Sequence, residues 1–172
     1  MKTQLHDEQI RVLIADDDEY ILECYREAFS ESEPTGLMKT LDVLDAELFD
    51  LEVDIEESPK FEVVSCSQGD DAVCLAEEAA SEGQPFDVVI LDVRMPPGID
   101  GVEAGSAIRE MDPDVEIVFV SGFSDVPLDE LERRVPPPMK LHCFSKPLSF
   151  MQLALDVASM VRSHQKGIIE CL

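Results

Sequence analysis

The stretch Phe86-Asp87-Val88-Val89-Ile90-Leu91-Asp92 decides how this chain is read. Four consecutive aliphatic residues end at an acid. A short unbroken apolar run rich in β-branched residues suits a strand buried on both faces, as in a parallel sheet. The spacing predicts a strand over 86–91, central in its sheet, with the Asp92 carboxylate at its carboxyl end.

Working outward, similar short runs recur on both sides. Arg11-Val-Leu-Ile-Ala15, Phe61-Glu-Val-Val-Ser65, and the segments 115–120 and 140–144 all read as strands. Helical spacing separates them. Ile21, Leu22, Tyr25, Ala28 and Phe29 form one apolar face, segments 68–81 and 102–111 form others, and residues 128–134 form a short helix stopped by Pro136-Pro137-Pro138. Phe150, Leu153, Ala154, Val157 and Val161 mark a closing helix. Strands alternating with helices predict an α/β domain with five parallel strands and right-handed crossovers.

One segment stands outside that alternation. Residues 31–58 hold ten acids and a single lysine, Lys39. Within them Leu37, Leu41, Leu44, Leu48 and Leu51 recur at helical spacing. This predicts an extra helix between the first helix and the second strand. It either docks on its own domain or serves as the seam of a homodimer or partner contact.

The whole chain of 172 residues carries a net charge of −25. Such a surface repels phosphate backbones, which argues against direct nucleic-acid binding. Cys24, Cys66, Cys74, Cys143 and Cys171 form no C-x-x-C pair, so free thiols in a reducing cytoplasm are expected. No apolar run approaches the ~18 residues needed to span a bilayer, and no membrane association is expected.

The chemistry lies where the strands end. The first runs into Asp16-Asp17-Asp18, the third into Asp92, the fourth into Ser121-Gly122, and the fifth into Lys146-Pro147. Ligands of open α/β sheets bind beyond the carboxyl ends of the strands. Taken singly these residues are ordinary: acidic triplets cap helices, and Lys-Pro is a common dipeptide. Their placement at successive strand ends predicts acids, a hydroxyl and an ammonium on one sheet edge. Converging carboxylates repel, and a hard divalent cation such as Mg²⁺ relieves that repulsion. A carboxylate held near the metal can then attack a phosphoryl group and form an acyl phosphate.

These motifs carry a family resemblance. Val12-Leu-Ile-Ala-Asp-Asp17, Val89-Ile-Leu-Asp-Val-Arg-Met-Pro96 with Asp100-Gly101, Ile117-Val-Phe-Val-Ser-Gly122 and Ser145-Lys-Pro147 resemble those of response-regulator receiver domains of two-component signalling. The resemblance covers about residues 10–163, leaving tails at 1–9 and 164–172 and an acidic helical insertion at 31–59. It implies a flavodoxin-like, doubly wound five-stranded sheet in the order 2-1-3-4-5. It also implies that Asp92 is the phosphoacceptor, Asp17 a direct Mg²⁺ ligand, Asp16 its water-mediated neighbour, and the Arg94 carbonyl the third protein ligand. Ser121 matches the switch hydroxyl and Lys146 the phosphate-contacting lysine. A histidine kinase or phosphotransfer protein would be the donor. A downstream output domain or protein would read the face made by the fourth helix, fifth strand and last helix. Such a chain is not a turnover enzyme, because it catalyses only its own phosphorylation and dephosphorylation.

The departures from the family pattern are specific. The family's aromatic switch position is Cys143 here, expected as core filling, with a redox role as the alternative. Arg94 and Phe123 stand where the family tunes phosphoryl loss, and a bulky Phe123 would slow attack by water. Two competing functions remain. A phosphohydrolase with Asp92 as nucleophile would need an aspartate where Arg94 stands. A degenerate receiver would act as a phosphorylation-independent interaction module.

Overall fold

The computed structural model describes residues 9–30, 60–122 and 126–169. The insertion with its 37–51 helix, Phe123, Cys171 and most of the two tails lie outside the described residues. The elements run β1 (Ile10–Ala15), α1 (Glu19–Ala28), β2 (Phe61–Cys66), α2 (Gly69–Ser81), β3 (Val88–Asp92) and α3 (Gly101–Met111). There follow β4 (Glu116–Ser121), α4 (Leu128–Arg134), a 3-10 turn (Pro138–Lys140), β5 (Leu141–Ser145) and α5 (Phe150–Ile169).

The five strands form one parallel sheet in the order β2-β1-β3-β4-β5. Every residue of β3 is buried, as its continuous apolar run requires of a central strand. Successive side chains alternate between faces, and each face meets its own helical layer. Leu13, Val89, Leu91, Ile117 and Phe119 pack with Ala72, Val102, Ile108 and Leu131, under α2, α3 and α4. Val12, Ile14, Val88, Ile90, Val118 and Val120 pack with Leu22, Tyr25, Phe29, Leu153 and Val157, under α1 and α5. Burying each such aliphatic side chain contributes about 1.5–3 kcal/mol.

The third strand starts two residues later than the predicted 86–91 and ends one residue later. Asp87 directs its carboxylate, rather than its carbonyl, at the Arg11 N–H (2.8 Å), so the regular ladder starts after it. Phe86 stays buried, with the Arg11 guanidinium 5.0 Å above its ring. At the other end the strand extends to include Asp92, whose register partner is Val120.

Two helix starts are fixed by acids. Asp18 caps α1 by accepting from the Tyr20 N–H at 2.9 Å. Asp100 and Glu103 form a reciprocal capping box at α3. Gly101 then opens α3 directly over the backbone of Asp92. A Cβ there would collide with the Asp92 carbonyl oxygen and lie 2.9 Å from its carbonyl carbon. The central strand cannot retreat, so Gly101→Ala is expected to lower the unfolding free energy by about 1–3 kcal/mol. Urea denaturation would show this as a lower midpoint; an unchanged midpoint would mean the backbone gives way.

Candidate functional site

The strand order places β1 and β3 side by side, with β2 outside one and β4 and β5 beyond the other. Their carboxyl ends flank the point where the winding reverses, the usual ligand crevice of such sheets. Asp16 follows β1, Asp92 ends β3, Ser121 ends β4, and Lys146 follows β5.

Lys146 is the junction of these ends. Its ammonium donates to Asp16 Oδ2 at 3.0 Å and to Asp92 Oδ1 at 2.6 Å. Its backbone N–H donates to the Ser121 carbonyl at 2.8 Å. Each carboxylate engages its second oxygen locally. Asp16 Oδ1 accepts from the Asp18 N–H at 3.0 Å, and Asp92 Oδ2 from the Arg94 N–H at 2.8 Å. Asp16 is 1% exposed and Asp92 8%, so these four bonds are what makes two buried carboxylates tolerable.

The predicted site residues do not all converge alike. Asp16, Asp92 and Lys146 meet directly, and Ser121 is half-buried at the adjoining strand end. Asp17 is exposed. The bond from the Asp18 N–H to Asp16 is an Asx turn, and Asp17 is carried outward at its apex. Among the described residues, no group of three or more His, Cys, Asp or Glu is arranged as a metal cluster. The carboxylate oxygens that meet in the crevice, those of Asp16 and Asp92, are nonetheless hard donors. That set fits Mg²⁺.

Cys143 is not core filling. It lies on β5, an edge strand, and it is exposed. Partial desolvation, and then the Glu132 carboxylate on α4, push its thiol up to about 11. A thiol so rarely ionised at neutral pH is a poor redox centre. Sequence reasoning missed Gln68 and Asp70, which bind the loop after Asp92. Their position just before and within the first turn of α2 was the available signal.

The electrostatics follow from burial. Desolvation raises Asp16 above its ordinary 3.8; the Asp18 N–H and Lys146 oppose this, and the Asp92 charge adds to it. Burial works against the Lys146 charge, but the Asp92 and Asp16 hydrogen bonds outweigh it and hold Lys146 above an ordinary lysine. Because the fold raises Asp16, it favours the protonated form. That contribution is complete below about 3.8, the unfolded value, and is lost as pH rises through the folded one. At neutral pH the Asp16 charge is therefore a net cost. Asp16→Asn is expected to melt a few degrees higher than the parent at pH 7, with the advantage shrinking as pH falls toward 3.8. A lower melting temperature at pH 7 would contradict this balance.

Comparisons with known proteins agree with this fold. The family profile described as response regulator receiver domain matches residues 45–135. The sensor kinase CckA of Brucella abortus (strain 2308) is 32% identical over 105 residues, covering 61% of this chain and 10% of that protein. The response regulator receiver protein CpdR of the same strain is 32% identical over 78 residues, covering 45% of this chain and 62% of its own length. The chain thus spans less than two thirds of these relatives. Its fold is similar to that of a response regulator receiver protein from Sinorhizobium medicae WSM419, with a TM-score of 0.59 at 23% identity, covering 90% of this chain and 96% of that one. No helix among the described residues is long and apolar enough to cross a membrane. With the sheet order and the profile match in agreement, the chain belongs to the response regulator receiver domain family of two-component signal transduction.

Proposed function

We propose that Asp92 accepts a phosphoryl group from a sensor histidine kinase or phosphotransfer protein. The observation that carries this reading is the Lys146 ammonium bridging two buried carboxylates at 3.0 and 2.6 Å. That arrangement sets a positive charge directly against the carboxylate nucleophile in a nearly buried crevice.

In the transfer, an Asp92 oxygen bonds to phosphorus as the donor's N–P bond breaks. The donor imidazole leaves, and an acyl phosphate remains. The Arg94 N–H steadies the other oxygen of Asp92. Lys146 then exchanges its carboxylate partner for a phosphoryl oxygen, and the Ser121 hydroxyl binds another. Asp16, Asp17, Asp92 and the Arg94 carbonyl would hold Mg²⁺, which neutralises phosphoryl charge when bound.

The receiver occupies residues 10–163 in this reading, with 31–59 as an insertion and short segments at either end. Its readout runs through α4, β5 and α5 to an output domain or partner in the cytoplasm. With Cys143 in place of the family's aromatic, that relay must use other side chains.

The test is intact-mass analysis after treatment with acetyl phosphate and Mg²⁺. A carboxylate nucleophile predicts a gain of about 80 Da in the parent and none in Asp92→Asn. An equal gain in both would overturn the assignment. No gain in either would favour a phosphorylation-independent interaction module.

A further inference from the structure

The loop after Asp92 is clamped from outside by the start of α2. Gln68 Nε2 donates to the Pro96 carbonyl at 3.2 Å, and Gln68 Oε1 accepts from the Gly98 N–H at 3.3 Å. Asp70 Oδ2 accepts from the Ile99 N–H at 3.0 Å. Three side-chain-to-backbone bonds thus join two loops that are 28–30 residues apart in the chain.

The steric fit is as specific as the bonds. A Cβ on Gly69 would lie 2.5 Å from the Ile99 carbonyl oxygen and 2.9 Å from Ile99 Cγ1. One on Gly98 would collide with the Asp70 carboxylate. Each loop therefore has a glycine where the other presses closest.

Gln68 is placed unusually for a helix start. It is the N-cap of α2 yet makes no side-chain capping bond, where Ser, Thr, Asp or Asn normally satisfy the first turn. Both ends of its amide are directed to the neighbouring loop instead. The helix forgoes a cap worth about 1 kcal/mol, so the loop contact is the role this side chain serves.

What the clamp holds is Pro96, Gly98 and Ile99, in the loop that leads on from the Arg94 carbonyl. The Arg94 N–H is pinned to Asp92 Oδ2, and Met95 is 1% exposed in the core beneath α2 and α3. The Gly101 N–H reaches back to the Val93 carbonyl at 3.0 Å. Gln68 and Asp70 fix the stretch between these anchors. We infer that Gln68 and Asp70 are positioning residues that aim the Arg94 carbonyl for a divalent cation at the Asp92 site. This rests on the site reading proposed above, in which that carbonyl is a Mg²⁺ ligand. Outer partners that orient a metal's ligands typically govern affinity by 10-fold or more.

Mg²⁺ titration calorimetry on the full chain, without phosphodonor, tests the clamp. Gln68→Ala and Asp70→Ala should each raise the Mg²⁺ Kd by roughly 10-fold. Asp70→Asn, which keeps the oxygen that accepts from Ile99, should stay close to the parent. Thermal melts accompany each variant; should one alanine variant fail to fold, the other carries the test. Mg²⁺ binding that weakens in Asp92→Asn but is unchanged in both alanine variants overturns the clamp alone. A parent that binds no Mg²⁺ overturns both the clamp and the site reading. A loss in Asp70→Asn equal to that in Asp70→Ala would assign the effect to the carboxylate charge and overturn the positioning role.

Discussion

The ammonium of Lys146, shared between Asp16 and Asp92, is the interaction on which the site depends. Its partners lie 130 and 54 residues away in sequence. Only a sheet that sets β1 beside β3, and β5 two strands further on, can bring all three to one edge. Two carboxylates at 1% and 8% exposure would otherwise repel in a medium that screens poorly. Removing the lysine from such a triad leaves uncompensated buried charge, which is far more costly than never having buried the pair. Fold and chemistry are linked at that nitrogen atom.

The rest of the architecture keeps the triad in register. Capping at Asp18 starts α1 close behind β1, and capping at Asp100 starts α3 after the loop that follows Asp92. Gly101 lets α3 rest on the Asp92 backbone. The β4–β5 pairing of Ser121 with Ser145 delivers Lys146 at the correct height, and the Ser121 carbonyl then holds the Lys146 N–H. A resting state built this way is stable without being inert. The lysine already sits on the Asp92 carboxylate, and in the proposed cycle it needs only to exchange that oxygen for one on phosphorus.

Much of this was legible in the amino-acid order, and the limits have physical causes. The run through Val88 to Leu91 marked a central strand because it is apolar on both faces, and the residues following each strand marked the crevice. Less visible was how side chains turn once the chain leaves the ladder. An Asx turn at Asp16 carries Asp17 outward, which spacing alone cannot reveal. The carboxylate of Asp87 replaces a ladder bond and delays β3. Cys143 reads as core by its apolar character, yet it sits on the edge strand β5 and is exposed. Gln68 shows only its place just before a helix, because its role depends on a loop 28–30 residues away.

In the proposed cycle Lys146 guards the Asp92 carboxylate at rest and transfers to the phosphoryl group when one is attached. A crystal structure of the Mg²⁺–beryllofluoride complex examines it most directly, since beryllofluoride bonded to a carboxylate imitates the acyl phosphate. The account predicts beryllium on an Asp92 oxygen, the cation on Asp17 and the Arg94 carbonyl, and the Lys146 ammonium moved onto a fluoride. Beryllofluoride bound elsewhere, or bound at Asp92 with Lys146 still bridging Asp16 and Asp92, would contradict it.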